Sequence, residues 1–188
     1  MVEAVASAAV MGLQVRRVRV EVSITRGTPL IQIIGLAENA VREGRERIRA
    51  AAAQLGLHVP GLRITVNLAP AGLRKHGAAF DLPIIVAILA AAGQLSLEGA
   101  PSYAMVGELG LDGRLRPVRG ALLIALHSAG AKDVAGLILP FDNLREARPV
   151  TGLEVRGART LPEVLEFLRG RRALPGPARA ARETLLRN

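Results

Sequence analysis

Asn67-Leu68-Ala69-Pro70-Ala71-Gly72-Leu73-Arg74-Lys75-His76-Gly77-Ala78-Ala79-Phe80-Asp81-Leu82-Pro83 decides how this chain is read. Before it, Ile64, Val66 and Leu68 alternate with Arg63, Thr65 and Asn67, the period of a half-buried strand. After it, Leu82, Ile85, Val86 and Leu89 mark a buried helical stripe that Gly93 stops. Asp81 is placed to cap that helix, and Pro83 is tolerated in its first turn. Between strand and helix lie small residues and the basic cluster Arg74-Lys75-His76. A strand emptying through a glycine-bearing loop onto a helix start is a common place for a site.

Working outward, Val18, Val20, Val22 and Ile24 alternate with Arg17, Arg19, Glu21 and Ser23, which predicts a strand with one wet face. The N-terminal MVEAVASAAVMGLQV has the small residues of a secretory leader. It carries Glu3 where such a leader needs Lys or Arg, so it reads as another strand. Arg26-Gly27-Thr28-Pro29 reads as a turn into a strand at Leu30–Ile34. A helix is expected from Glu38 to Leu55, with Glu38–Arg42 and Glu43–Arg47 as i,i+4 pairs and Gly56 beyond its end. Its alternating charges read as a solvated face in preference to a nucleic-acid groove.

Further on, a short strand is expected at Tyr103–Leu109. Asp112-Gly113 between apolar flanks predicts a hairpin over Gly107–Val118. A helix follows over Gly120–Ala129, then a strand at Gly136–Leu139. Asp142 or Asn143 is a candidate cap for a brief turn, and an edge strand is expected at Leu153–Gly157. Thr160-Leu161-Pro162-Glu163 is a capping box opening a last helix that buries Leu161, Val164, Leu165 and Leu168. Residues 1–170 form the expected domain, and 171–188 a basic linker leading toward a further module.

Composition bounds the chemistry. Half of the 188 residues are hydrophobic, but only three Phe and one Tyr are aromatic, so the core is aliphatic. Stacking platforms for single-stranded bases are correspondingly scarce. Cysteine is absent, which removes disulfides and thiolate metal sites and fits a cytoplasmic location. The net charge is +9, but residues 1–168 carry 19 basic and 15 acidic side chains, whereas residues 169–188 carry six Arg against Glu183. The body is therefore only mildly basic. The longest apolar run, Leu82 to Gly93, is too short to cross a membrane.

Catalytic patterns can be checked against the central stretch. Gly72 to Gly77 lacks the Walker A spacing, because Ala78-Ala79 stands where Lys-Ser/Thr would be needed. No Rossmann fingerprint follows the first strand. His58, His76 and His127 show no metal-ligand spacing, and no serine lies in the loop. No cofactor or metal is expected on these residues.

Three separated motifs carry a family resemblance: Asn67–Pro83, Gly107–Gly120 (GELGLDGRLRPVRG) and Ile138–Asn143 (ILPFDN). Gly35-Leu36, Ala40-Val41-Arg42-Glu43 and Arg47-Ile48-Arg49-Ala50 precede them. Together they resemble the N-terminal domain of the ComM family, competence-associated, magnesium-chelatase-like bacterial proteins also called YifB. More distantly, the order resembles the proteolytic domain of Lon and the C-terminal domain of RadA. The resemblance implies an α+β fold, a mixed β-sheet with packed helices, of the Lon-protease-like β-α-β kind shared with a ribosomal-protein domain.

In Lon-like peptidases a serine follows a K-D-G-P segment and a lysine follows L-P-V-G-G. Here Ala79 occupies the first position, and Arg116-Pro117-Val118-Arg119-Gly120-Ala121-Leu122 supplies no lysine. An alanine cannot attack a carbonyl, so no catalytic residue is assigned. The resemblance further implies a longer parent with an AAA+ module that binds ATP and Mg, acting as a hexameric DNA helicase or branch-migration factor in transformation and recombination. Within such a parent this chain is a non-catalytic accessory domain. Its expected partners are DNA, the parent's own AAA+ module and further copies of itself, with no membrane. Arg74, Lys75, Arg114, Arg116 and Arg119 are the candidates for weak, sequence-independent phosphate contact, and read equally well as ordinary surface charges. A degenerate Ser/Lys peptidase and a magnesium-chelatase subunit are the competing readings.

Overall fold

A computed structural model describes residues 2–70, 75, 77–99 and 101–177. Arg74, His76, Arg179, Arg182 and Arg187 lie outside the described residues. Among the described residues, nine strands and five helices follow the expected order. β1 (Val2–Met11) turns tightly into β2 (Gln14–Thr25), and β3 (Leu30–Ile34) leads into α1 (Glu38–Gln54). β4 (Arg63–Ala69) is followed by α2 (Asp81–Ala91) and β5 (Tyr103–Met105). β6 (Glu108–Leu109), β7 (Leu115–Arg116), α3 (Ala121–Ala129), β8 (Gly136–Pro140), α4 (Leu144–Ala147), β9 (Glu154–Ala158) and α5 (Leu161–Leu168) complete the chain.

Seven strands form one mixed sheet in the order β3-β4-β2-β1-β5-β8-β9. The β1–β2 hairpin and the β2–β4 pair are antiparallel, whereas β3–β4, β1–β5, β5–β8 and β8–β9 are parallel. The alternation in β2 has its expected physical outcome. Val18, Val20 and Val22 are sealed inside, while Arg17 and Arg19 face outward opposite Ala8 and Ala6. One core joins this inner face to α1, α2 and α5, and a second joins β5, β8 and β9 to α3 and α4. Since α3 and α4 reach only part of the second face, Arg63, Gln32 and Ile34 on β4 and β3 stay exposed to solvent.

α2 is the axis of the molecule. A helix with one buried stripe is expected from the sequence, yet every residue from Asp81 to Ala90 is buried. β1 and β2 cover one side of it, and α1 and the β6 strand close the others. All-round burial is what an apolar helix with no charged face requires. Two expectations about local chemistry are corrected here. Asp81 lies inside the first turn, and its carboxylate makes no capping bond. Asn143 precedes α4 but likewise does not cap it. Its side chain accepts from the Val118 amide (2.9 Å) and donates to the Val118 carbonyl (2.9 Å). In both cases a tertiary partner outcompetes the local backbone amides.

The Tyr103–Leu109 strand is broken. β5 joins the main sheet, and Glu108–Leu109 pairs instead with Leu115–Arg116 in a separate two-stranded ribbon. The loop between them spans Gly110 to Arg114, with Gly113 at φ +78° and its ideal Cβ position only 2.7 Å from Leu55. Thr160 does cap α5, accepting from the Glu163 amide, while Glu163 reaches back to the Arg159 amide at 2.7 Å. Chain beyond the expected boundary at Gly170 also packs on the body. Leu174 is buried, and the Pro175 carbonyl accepts from the Gly157 amide at 2.8 Å on β9.

Candidate functional site

The loop after β4 delivers its last residues into a 3-10 turn, Ala78–Phe80, which runs directly into α2. Gly77 precedes it at φ +83°, a backbone conformation that favours glycine. The turn is pinned to the base of the ribbon by two backbone bonds. The Gly107 amide donates to the Ala79 carbonyl (2.8 Å), and the Leu82 amide donates to the Gly107 carbonyl (3.0 Å). Gly107 packs closely here, since an added Cβ would lie 3.3 Å from Leu82, which would have to give by a few tenths of an ångström.

Beside this turn opens a cleft of about 690 Å³. Ala8 and Val10 of β1, Ala79, and Val118, Arg119 and Gly120 before α3 contribute to its walls. The two segments singled out as the Lon-like pair of positions thus meet in one cleft. What they present is Ala79 on one side and Val118, Arg119 and Gly120 on the other. Ser7, on neighbouring β1, is buried and donates its hydroxyl to the Met105 carbonyl at 2.8 Å. Among the described residues, no group of three or more His, Asp or Glu side chains converges to hold a metal.

The candidate cations are dispersed. Lys75 is buried (1 % exposed) and its Nζ donates to the Pro70 carbonyl at 2.6 Å. Burial holds its ammonium below the usual lysine range. In this arrangement it is turned into the protein, which corrects the expectation of a surface phosphate ligand. Arg114 and Arg116 are exposed on the ribbon but partly neutralised, by Asp112 at 3.5 Å and Glu108 at 3.4 Å. Arg119 is exposed at the cleft and makes no ion pair among the described residues. Arg74 lies outside the described residues.

One functional grouping is absent from the sequence reading. Arg47 of α1 reaches across to Asp81, with Nε at 2.6 Å from Oδ2 and Nη2 at 3.2 Å from Oδ1. Asp81 Oδ2 also accepts from the Leu109 amide at 3.2 Å. One carboxylate therefore ties α1, α2 and the β6–β7 ribbon together behind the cleft. Burial pushes the Asp81 carboxyl up to about 6, while Arg47 and the Leu109 amide oppose that rise. Arg47 itself is raised, chiefly by its hydrogen bond to Asp81. The available signal was a lone acid opening an otherwise apolar helix, which capping explained too readily.

The fold and cleft define a class: a Lon-like mixed-sheet domain with Ala79 at one of its two key cleft positions and no lysine in the Arg116–Leu122 segment at the other. Sequence comparison agrees. Residues 20–143 match the family model described as subunit ChlI of Mg-chelatase. The chain is 41 % identical over 169 residues to the competence protein ComM of Haemophilus influenzae and 40 % identical over 169 residues to an uncharacterized protein, YifB, of Escherichia coli. In each case 90 % of this chain and 33 % of the relative are covered. Similarity to Lon protease 2 of Bacillus subtilis is weaker, 26 % over 115 residues, covering 60 % of this chain and 20 % of that one. The chain belongs to the ComM/YifB group of the magnesium-chelatase ChlI-like family. It spans about a third of the length of the curated relatives it matches. Among the described residues no helix is long and apolar enough to cross a membrane.

Proposed function

We propose that this chain is a non-catalytic domain of a ComM-like, ATP-driven DNA-processing protein, and that it contributes DNA contact or subunit assembly to its parent. The observation that supports this most is the cleft at Ala79. A peptidase of the Lon kind needs a hydroxyl there and an amine from the facing segment, and the residues present are Ala79 and Val118-Arg119-Gly120. The scaffold for positioning a nucleophile persists while the nucleophile and its base do not. The name of the Haemophilus relative, a competence protein, points toward DNA uptake and recombination as the setting. ATP and Mg belong to a motor module of the parent in this reading, and such motors commonly work as rings.

Of the candidates Arg114, Arg116 and Arg119, Arg119 is the best placed for a phosphate, since it lines the cleft, is exposed and makes no ion pair among the described residues. Arg114 and Arg116 add a weaker contribution, because contact with phosphate must first displace Asp112 and Glu108. The test is fluorescence anisotropy of labelled DNA against this chain across a salt series. Weak binding that falls steeply with salt is expected, and Arg119→Glu should lower affinity and flatten the salt slope by about one counterion. Unchanged binding and slope in Arg119→Glu would remove this residue from the interface. Labelling by a serine-directed probe, abolished by replacing one serine, would instead revive the peptidase reading.

A further inference from the structure

The two edges of the main sheet are treated differently by the chain. On the β9 side, the Gly157 amide is bonded to Pro175, and Arg156 donates to the Leu174 carbonyl, so the protein's own following segment covers that edge. On the other side, β3 is the terminal strand and pairs only with β4 among the described residues. Its sequence, Leu30-Ile31-Gln32-Ile33-Ile34, contains no charge. Sheet edges in soluble proteins are commonly protected by charges, bulges or covering segments, because unpaired amides and carbonyls recruit another strand. Leu30 and Ile34 are 38 % and 45 % exposed on the uncovered face.

The phase of the free groups is fixed by the structure. The Leu30 amide donates to the Leu62 carbonyl, and Leu30 registers with Arg63 in a parallel ladder. The backbone groups of Leu30, Gln32 and Ile34 are therefore directed at β4. Those of Ile31 and Ile33, with alternate orientation, are directed at the open edge.

We infer that β3 pairs antiparallel with β3 of a second copy of this chain, about a two-fold axis at Gln32. This goes beyond the DNA reading and does not depend on it. In that register Ile31 opposes Ile33 of the other copy, and both residues have outward N–H and C=O groups. Each such pair exchanges two bonds, and the two-fold repeats the exchange. Leu30 then faces Ile34 across the dimer on the uncovered side, and Ile31 faces Ile33 on the inner side, both apolar cross-strand pairs. Gln32 meets its own symmetry mate, two neutral amides with no repulsion. Opposite charges flank the strand, Arg26 in the turn before β3 and Glu38 at the start of α1, and antiparallel pairing brings one to each end of the other. Both are exposed, and neither makes an ion pair among the described residues. The strand is thus self-complementary in hydrogen bonding, apolarity and flanking charge, which selects a second copy over an unrelated peptide.

Sedimentation equilibrium on this chain tests the inference. The wild type is expected to show a concentration-dependent mass rising toward twice 19.8 kDa. Gln32→Lys and Gln32→Glu each place like charges opposite one another on the axis, and each should weaken association by up to about fivefold. Mixing the two variants should restore the dimer as a heterodimer, an outcome that misfolding cannot produce. Leu30→Lys, at an exposed position, should also weaken association. A wild type that stays at the monomer mass throughout overturns the inference. So does a dimer unaffected by both Gln32 variants, or a variant mixture that fails to reassociate.

Discussion

Arg47 and Asp81, thirty-four residues apart in the chain, meet in a two-bond guanidinium–carboxylate pair behind the cleft. Asp81 is almost fully buried and Arg47 only half so, and the same carboxylate accepts the Leu109 amide. A buried pair of this kind is seldom a large net stabiliser, because desolvation offsets the attraction. Asp81→Asn takes a charged acceptor from Arg47 and from the Leu109 amide, while Glu43 still lies 3.7 Å from Arg47. It is therefore expected to destabilise the fold by about 1.5–3 kcal/mol, the worth of a hydrogen bond to a charged group. For a domain this size that corresponds to a fall in Tm of roughly 3–12 °C. Calorimetry measures it. A double-mutant cycle with Arg47→Met should show that the second change adds little once the first is made.

The titration of Asp81 carries a definite sign. Its folded value of about 6 lies above the ordinary carboxylate value, so the native state holds this proton more tightly than the unfolded chain. Between about pH 4 and pH 6 folding takes up a proton, and this group's contribution to stability falls as pH rises through that window. Above about 6 the contribution is flat. Carbon-13 NMR of the Asp81 carboxyl should show a midpoint near 6, and the wild-type stability curve minus that of Asp81→Asn should fall over the same range. A midpoint below 4 would mean that Arg47 outweighs burial.

Asn143 is a second buried polar clamp, satisfying both the amide and the carbonyl of Val118 and donating to Glu146 at 2.8 Å. Asn143→Leu leaves two backbone groups of the cleft wall without partners. The expected loss is about 2–6 kcal/mol, from roughly 1–3 kcal/mol for each unsatisfied group. Amide hydrogen exchange should localise the effect, with protection at Val118 lost before that of the main sheet.

Gly136 opens β8 where Tyr103 and β9 crowd in from both sides. A Cβ there would stand 2.4 Å from the Glu154 carbonyl oxygen and 2.6 Å from the Tyr103 ring. Gly136→Ala should cost more than about 2 kcal/mol, as overpacking against backbone cannot relax by rotamer changes alone. Urea denaturation should show a lower midpoint with an unchanged slope.

Much of the architecture was legible in the chain. The valine alternation in β2, the turn chemistry before β3, the Gly56 stop and the Thr160 capping box each express a local rule, and each element formed where its pattern stood. The family motifs pointed to the correct fold, and the resemblance to Lon set Ala79 and the Arg116–Leu122 segment at the two dyad positions, which the structure brings into one cleft. Two of the misreadings share one origin. Asp81 and Asn143 precede helices, and local reasoning offers them free amides, but in the folded protein Arg47 and Val118, distant in sequence, are better partners. Lys75 sits among glycines and basic residues, and local reasoning puts it in solvent, whereas it is buried and donates to the Pro70 carbonyl five residues before it.

The sequence by itself determined which segments alternate, which coil, and that no nucleophile stands at position 79. Those are properties of short windows and of residue identity, and they survive without neighbours. Only the tertiary structure decided that α2 is buried on every side and that Asp81 joins three elements. It likewise decided that the cation at position 75 points inward while that at 119 stays outside. Burial and partner geometry arise when distant segments pack, and desolvation then reassigns polar groups whose local preferences had suggested another role.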